Sequence, residues 1–186
     1  MEIAIRACHA GDAAVLALVG QATFLETYAG DMEVSDLLAH CQVEHGAARY
    51  AGWLADPAYR LWIAEAAAGQ APVGYAVVCP PDLPMPTDEG DLELLRIYVL
   101  HRFHGTGLGA RLMQTACDTA AAAGAGRMFV SLYDDNHQAR AFYARQGFAD
   151  AGRRPFRIGA SVYDDLVMVR PLVSVSASSS ASSRRS

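Results

Sequence analysis

Hydrophobic and polar residues follow two different periods along this chain, and the changes of period mark the predicted elements. Alternation at every second residue predicts an opening strand at 2–6. The predicted helices that follow lie at 12–28, 35–40 and 47–54, with Asp12 and Ser35 as the caps of the first two. The first third of the chain is therefore predicted to form one strand and three helices.

The rest of the chain alternates strands with glycine- and proline-rich connections. Strands are predicted at 61–66, 73–79, 92–99, 127–133, 148–157 and 162–170, with helices after the glycines at 105–109 and after Asn136. Because a helix separates the strand at 92–99 from the strand at 127–133, these two strands are predicted to be parallel. The Ser-rich segment at 173–186 is predicted to be a disordered tail, which leaves a single domain at 1–172.

Composition and charge narrow the class of protein. With 186 residues, of which 52% are hydrophobic, the chain has the length of one globular domain with a real core. A formal net charge of -5 argues against a nucleic-acid partner, which normally requires a concentrated basic surface. No hydrophobic run approaches a membrane span and no leader is visible, so a cytoplasmic protein without a membrane partner is expected. Four widely separated cysteines predict reduced, buried thiols, and no metal site is expected.

A glycine-rich turn follows the predicted strand at 92–99. Gly105, Gly107 and Gly109 allow backbone conformations that other residues avoid, and they expose N–H groups at the start of a helix. The helix dipole favours negative charge there, so a phosphate or pyrophosphate is the expected ligand. A P-loop is excluded because the chain contains no lysine, and the spacing GxGxG does not match the dinucleotide fingerprint GxGxxG. A surface turn without a ligand stays open as the alternative for this motif alone.

A second motif changes that balance. The segment at 136–148, NHQARAFYARQGF, follows a predicted strand and has the pattern NxxAxxFYxxxGF. Together with RxxGxG at 102–107, it resembles the two conserved blocks of the GCN5-related N-acetyltransferase (GNAT) superfamily. The resemblance covers residues 3–172, is strongest at 93–148, and is closest to small-molecule and polyamine acetyltransferases. It implies an α/β (α+β) fold, with a mixed, mostly antiparallel sheet of about six to seven strands around a splayed parallel pair, flanked by about four to five helices.

The resemblance also implies acetyl-CoA as the co-substrate and no metal. The turn would bind the pyrophosphate and the preceding strand edge would pair with pantetheine, with the N–H of Val99 facing the acetyl oxygen. Asn136 is expected to cap its helix and to contact the coenzyme. The full set of expected coenzyme-binding residues is Ile97, Tyr98, Val99, Arg102, Phe103, His104, Gly105, Thr106, Gly107, Leu108, Gly109, Asn136 and Tyr143.

Two residues are candidates for proton transfer. Tyr143, the tyrosine of the second motif, would protonate the leaving thiolate of the coenzyme, and its alternative role is packing in an aromatic core. Glu93 would remove the amine proton, directly or through a water molecule. Simple alternation places Glu93 on one face with Leu95, Ile97 and Val99, an apolar setting that raises the pKa of a carboxylate. Its alternative role is the exposed start of a strand.

The acceptor groove of the family corresponds here to Glu26, Tyr28 and Asp31, where carboxylates would suit a cationic amine. The expected function is acetyl-CoA-dependent N-acetylation of a primary amine of a small molecule, such as a polyamine, by direct attack on the thioester. Acetylation of a protein N-terminus or lysine is the alternative within the same class. A coenzyme A-binding sensor without turnover is the alternative from another class. Homodimers are common in the family, and the sequence leaves a homodimeric partner open.

Overall fold

The computed structural model describes residues 1–30, 32–158 and 161–172. The Ser-rich tail at 173–186 and Asp31 lie outside the described residues, as does most of the predicted turn at 158–160. Within the described residues, seven strands and five α-helices occur in the predicted chain order. The predicted α/β (α+β) fold class is therefore confirmed.

The strands are β1 (Ile3–Ala7), β2 (Arg60–Ala66), β3 (Pro72–Cys79), β4 (Leu92–Val99), β5 (Arg127–Tyr133), β6 (Ala149–Ile158) and β7 (Ser161–Pro171). The helices are α1 (Ala13–Tyr28), α2 (Val34–Glu44), α3 (Ala47–Ala55), α4 (Leu108–Ala122) and α5 (His137–Arg145). Two short 3-10 helices, Ala10–Asp12 and His101–Phe103, lie before α1 and α4 respectively.

The strands form one mixed sheet in the order β1-β2-β3-β4-β5-β7-β6. Neighbouring strands are antiparallel except β4 and β5, which are parallel because α4 crosses over between them. Those two strands pair at two positions, Leu92 with Met128 and Glu93 with Phe129, and then diverge. The predicted splayed pair is confirmed. We call the V-shaped opening between the C-terminal halves of β4 and β5 the fork.

Hydrophobic side chains pack on both faces of the sheet. On one face, α4 presents a stripe at helical spacing, made by Leu108, Leu112, Met113, Ala116 and Ala120. On the other face, α1 and α3 contribute Leu16, Val19, Tyr50 and Trp53. These two layers hold the sheet between them, and the fork lies between the two layers.

The predicted cap of the first helix is wrong. Asp12 precedes α1 but makes no capping hydrogen bond to it. Its buried carboxylate instead accepts from the guanidinium of Arg6 at 2.8 Å and from the backbone N–H of His9 at 2.8 Å. Arg6 lowers the pKa of Asp12 to about 2. The guanidinium of Arg6 on β1 holds this carboxylate through two hydrogen bonds, and local sequence spacing does not reveal that pair.

The predicted bounds of the second helix are also wrong. Ser35 is not a cap but lies inside α2, which begins at Val34 and continues to Glu44. Among the residues of this helix, Leu37 alone is buried. Because the apolar stripe is so narrow, hydrophobic spacing defines the ends of this helix poorly.

A β-bulge interrupts β4. Val77 of β3 pairs with Arg96, whereas the next residue, Val78, pairs with Leu94. Leu95 is therefore an extra residue on β4. A bulge bends its strand and shifts the alternation of side chains by one position.

This bulge makes one prediction about the site wrong. Ile97 and Val99 pack in the same cluster as Leu94, on the side of α4. Glu93 points to the opposite face, because it alternates with Leu94 before the bulge. Glu93 therefore does not share a face with Ile97 and Val99, and its burial has a different origin.

We expect Gly20→Ala to lower the free energy of unfolding by about 1–3 kcal/mol, which is the usual cost of overpacking. A Cβ at Gly20 would contact the buried hydroxyl of Tyr50 and lie 2.7 Å from Nδ1 of His45. Gly52→Ala is the matched control, because this α3 glycine has nothing within 4 Å of the added Cβ. Gly52→Ala should raise stability by ~0.5–1 kcal/mol through helix propensity. Urea unfolding of both variants measures the difference, and equal stabilisation by both would contradict the packing described for Gly20.

Candidate active site

The open edge of β4 supplies backbone hydrogen-bonding groups to the fork. The N–H of Leu100 donates to the carbonyl of Val73 at 2.9 Å, which sets the phase of the β3–β4 ladder. Because hydrogen-bonded pairs alternate along antiparallel strands, the N–H and C=O groups of Ile97 and Val99 point into the fork. The Val99 carbonyl accepts from Nε2 of His104 at 2.8 Å, whereas the two N–H groups have no acceptor among the described residues. An extended ligand along this edge could accept both hydrogen bonds.

Tyr98 has the opposite orientation from these two neighbours. Its backbone faces Tyr75 of β3, and its ring stacks on the Tyr75 ring with centroids 5.9 Å apart. Its side chain lies on the α1 side of the sheet, with its edge against His45. Of the three predicted edge residues, Ile97 and Val99 therefore present their backbone to the fork, and Tyr98 presents a phenol on the other side of β4.

The glycine-rich turn presents backbone donors. Gly105 and Gly107 have φ angles of 76° and 83°, in the left-handed region, and they direct the chain into α4. The N–H groups of Gly105 and of residues 107–110 have no acceptor among the described residues. These donors converge at the positive end of a helix of 15 residues. The turn is therefore suited to bind an anion.

Two arginines add positive charge beside this turn. A cavity of about 370 Å³ adjoins it and is lined by Met1, Ile3, Arg102, Phe103, Thr106, Leu108 and Arg111. The guanidinium of Arg102 lies over the ring of Phe103, 5.1 Å from the centroid. Arg111 donates to the carbonyl of Ile3 at 3.0 Å. The two guanidinium groups favour a second anionic group of the same ligand.

Glu93 lies at the closed end of the fork and is 2% exposed. Its carboxylate accepts from the backbone N–H of Asp82 at 3.3 Å and from the guanidinium of Arg154 at 3.4 Å. Burial raises the pKa of Glu93, whereas Arg154, the Asp82 N–H and the hydroxyl of Ser131 act in the opposite direction. A carboxylate with a raised pKa is a better proton acceptor than a solvated one.

A cavity of about 420 Å³ opens beside this carboxylate. It is lined by Asp82, Leu83, Pro84, Arg154 and Pro155. Two of these residues, Asp82 and Arg154, are the ones that contact Glu93. The cavity therefore adjoins the two residues that contact the buried carboxylate.

Tyr143 approaches the fork from α5. The side chain of Asn136 caps this helix by accepting from the N–H of Ala139 at 2.9 Å, as predicted. The Tyr143 ring packs against Phe142 and Phe148, with centroids 5.3 and 5.7 Å away. Its hydroxyl makes no hydrogen bond within the described part of the chain. Burial, with a smaller effect of Tyr98, raises the pKa of Tyr143, so the phenol stays protonated.

Three phenols and one carboxylate, those of Tyr28, Tyr98, Tyr143 and Asp165, are coupled electrostatically. Tyr98 raises the pKa of Tyr28, as do burial, Asp165 and Tyr143. Asp165 of β7 is 7% exposed, and burial raises its pKa. Sequence reasoning identified the three tyrosines but missed Asp165 and also Arg154. One signal was available, because Asp165 directly precedes the hydrophobic run at 166–169 in a strand that is buried on both faces.

Of the other two predicted acceptor residues, Glu26 and Asp31, the structure describes only Glu26. The carboxylate of Glu26 accepts from the backbone N–H of His101 at 2.9 Å, at the start of the 3-10 helix that precedes the turn. This contact ties α1 to the turn and gives Glu26 a structural role. Asp31 is outside the described residues.

Several other features of the described residues bear on the predictions. No three or more His, Cys, Asp or Glu side chains among them are arranged to hold a metal ion. None of their helices combines the length and the apolar character needed to cross a bilayer. Cys79 and Cys117 are buried free thiols as predicted, whereas Cys8 and Cys41 are half-buried.

Known proteins similar to this chain are acetyltransferases. The model of the acetyltransferase (GNAT) family matches residues 24–148. Uncharacterized N-acetyltransferases of Mycobacterium bovis and Mycobacterium tuberculosis are 36% identical over 162 residues, which cover 87% of this chain and 99% of each relative. The crystal structure of PaiA N-acetyltransferase from Thermoplasma acidophilum, in complex with coenzyme A, has a TM-score of 0.74 at 18% identity and covers 92% of this chain and 99% of that chain. The ribosomal-protein-S18-alanine N-acetyltransferase from Escherichia coli has a TM-score of 0.67 at 16% identity, with coverage of 96% and 98%.

At 18% and 16% sequence identity, the two solved structures show only that the fold is shared. The family model and the mycobacterial relatives carry the assignment further, because the matched region contains the fork, the glycine-rich turn and α5. The chain belongs to the GNAT family and is an N-acetyltransferase that uses acetyl-CoA.

Proposed function

We propose that this enzyme acetylates a primary amine of a small molecule, and that the amine attacks the thioester of acetyl-CoA directly. The arrangement of groups in the fork is the main support for this proposal. It holds a buried carboxylate at its closed end, a phenol without a hydrogen bond to the described residues on one side, and two backbone N–H groups without a described acceptor on the other. Acetyl transfer to an amine needs a proton acceptor, a proton donor for the thiolate and donors for the oxyanion.

The turn and the strand edge would hold the coenzyme. The N–H groups of Gly105 and of residues 107–110 suit the pyrophosphate, and the edge at Ile97 and Val99 suits pantetheine. Val99 stays our candidate for the N–H that faces the acetyl oxygen. Ile97 has the same orientation and lies closer to the closed end of the fork. Asn136, at the start of α5, would contact the coenzyme in addition to capping its helix.

Glu93 would take the proton from the acceptor amine, either directly or through one water molecule. Only the neutral amine has a lone pair for attack, so deprotonation must precede or accompany bond formation. Arg154 lies 3.4 Å from the carboxylate and limits how far burial raises its pKa. Burial makes the Glu93 carboxylate a stronger proton acceptor, and Arg154 keeps it ionised when the amine arrives.

Tyr143 would protonate the thiolate as it leaves. Because burial raises the pKa of its phenol, Tyr143 keeps its proton until the thiolate develops. Its ring is fixed by Phe142 and Phe148, so the hydroxyl is held in one position.

The size of the cavity beside Glu93, about 420 Å³, supports a small-molecule acceptor. The experiment that tests the function is incubation with acetyl-CoA and a panel of alkyl amines, amino acids and peptides with free N-termini. Thiol release and the mass of the product identify the acceptor. Efficient transfer to peptides alone would replace the small-molecule proposal, and coenzyme binding without thiol release on any amine would favour a sensor.

We expect Gly107→Ala to weaken coenzyme A binding by ~10-fold. An alanine at a φ of 83° costs about 1–2 kcal/mol. Relaxation of this strain would misalign the N–H groups at 107–110 that are available to the pyrophosphate. Gly69→Ala is the matched control in the β2–β3 hairpin, with a φ of 82° and open space around the added Cβ. Calorimetric titration with coenzyme A should detect a loss of affinity for the first variant alone. Equal affinities would exclude the turn as the pyrophosphate site.

We expect Glu93→Gln to lower kcat/KM by ~10²–10⁴-fold and to remove the rise of kcat/KM on the acid side of the pH profile. The active form is the carboxylate, so activity should increase as the pH rises through the raised pKa of Glu93. Arg154→Met removes the charge that lowers this pKa, and should move the same rise to higher pH. A Glu93→Gln enzyme that keeps the rise on the acid side would remove Glu93 from the mechanism.

We expect Tyr143→Phe to lower kcat by ~10²-fold while the affinity for coenzyme A changes by less than about 3-fold. The substitution keeps the ring between Phe142 and Phe148 and removes only the hydroxyl. Steady-state kinetics and coenzyme titration on the same preparation measure both quantities. Unchanged kcat would reduce Tyr143 to the packing role.

A further inference from the structure

Arg96 is a buried cation for which the proposed chemistry has no use. Strict alternation from Leu94 would place its side chain on the α4 side of the sheet. Because Leu95 is an extra residue in β4, Arg96 instead points to the face of α1 and α3. There its side chain is 11% exposed, and the guanidinium lies 4.8 Å from the centroid of the Trp53 ring and donates to the hydroxyl of Tyr50 at 3.2 Å. A guanidinium is rarely buried unless it is paired and hydrogen-bonded, so its partners indicate what it holds in place.

Arg96 binds the C-terminal end of α2. Its Nη1 donates to the carbonyl of Glu44 at 2.7 Å, and its Nη2 donates to the carboxylate of the same residue at 3.4 Å. The last carbonyls of a helix have no partner within the helix and lie at its negative end, so a cation is favourable there. Gln21 of α1 donates to the next carbonyl, that of His45, at 3.1 Å. This end of α2 is therefore fixed by side chains from β4 and α1.

The rest of α2 has few buried contacts. Among the residues of this helix Leu37 alone is buried, whereas Val34, Leu38 and Val43 are 57–69% exposed. One buried leucine supplies little apolar contact for a helix of 11 residues. The position of α2 therefore depends largely on its C-terminal end, where Arg96 supplies the hydrogen bond to the helix backbone.

Ring contacts connect α2 to the side of the fork where the acceptor is expected. His40 of α2 stacks on Phe24 of α1 with centroids 4.3 Å apart, and Phe24 lies 4.6 Å from Tyr28, the residue that we expect in the acceptor groove. His45, directly after α2, lies 5.0 Å from Phe24 and has its edge against Tyr98 of β4. A displacement of α2 would therefore move the rings that pack beside Tyr28 and Tyr98.

We propose that Arg96 is a positioning residue for the acceptor amine: it fixes α2, and α2 in turn fixes the rings around Tyr28. The coenzyme site does not depend on this contact, because Ile97 and Val99 present their backbone to the fork on their own. This inference rests on the proposed function, since it takes Tyr28 as a residue of the acceptor site. The hold of Arg96 on α2 can be measured without turnover.

The test compares Arg96→Met with Arg49→Met. Methionine keeps apolar contact with the Trp53 ring and removes the charge and the donors. Arg49 is the matched control, because it also binds the Glu44 carboxylate, at 2.7 Å, and lies 6.0 Å from the centroid of the same ring, but its side chain is 41% exposed.

The Michaelis constant of the acceptor should rise ~10-fold in Arg96→Met, as expected when a hydrogen bond to a charged group is lost, with kcat and coenzyme A affinity within about 3-fold of wild type. Arg49→Met should match the wild type in all three quantities. The probe is the amine of the panel above that gives the fastest thiol release, and calorimetric titration measures the affinity for coenzyme A.

Hydrogen exchange measured by mass spectrometry reports on α2 without an acceptor. The amides of α2 should exchange ~10-fold faster in Arg96→Met, while those of β2 and β3 keep the wild-type rate. Arg96→Lys keeps the charge but not the planar pair of donors, so it should show a smaller rise in both exchange and Michaelis constant. This second variant carries the test if Arg96→Met folds poorly.

A fall in kcat at an unchanged Michaelis constant would overturn the inference, as would an equal loss of coenzyme A affinity. Wild-type exchange of the α2 amides in Arg96→Met would also overturn it. Faster exchange without acetylation of any amine refutes the proposed function alone, whereas acetylation with an unchanged Michaelis constant refutes the role of Arg96 alone.

Discussion

The divergence of β4 from β5 after Glu93 and Phe129 is the constraint on which the rest of the site depends. A crossover through α4 makes these strands parallel, and the bulge at Leu95 bends β4 immediately after their last shared position. Helices pack on both faces of the sheet. Inside the opening, the backbone groups of β4 lack a strand partner, which is costly unless another group hydrogen-bonds to them. The same backbone groups are then available to a ligand that takes the place of the missing strand.

Positive and negative groups lie on different sides of the fork. The turn that begins α4 and its two neighbouring arginines form the cationic side, which suits a pyrophosphate. The buried carboxylates lie on the other side, on the sheet face near α1, with Arg154 as their partial counter-charge. The cationic groups and the buried carboxylates therefore lie on different sides of one opening.

Motifs that act locally were accessible from the sequence. The glycines at 105 and 107 take left-handed conformations and Asn136 caps α5, because both properties depend on residues within one turn of the chain. The local sequence favoured Asp12 and Ser35 equally as helix caps, but Asp12 makes no capping hydrogen bond to α1 and Ser35 lies inside α2. In the first case a guanidinium from β1 binds the carboxylate, and such a contact cannot be seen in the spacing of nearby residues.

The sequence by itself determined the order of the elements, the glycine-rich turn and the family, because hydrophobic period and motif spacing are properties of contiguous residues. The tertiary structure alone decided which way Glu93 points, since one extra residue in β4 reverses the alternation. It also brought Arg154 of β6 and Asp165 of β7, the last two strands of the chain, to the same sheet face as Glu93. Pairing between distant strands sets these neighbours, and no local pattern in the chain encodes it.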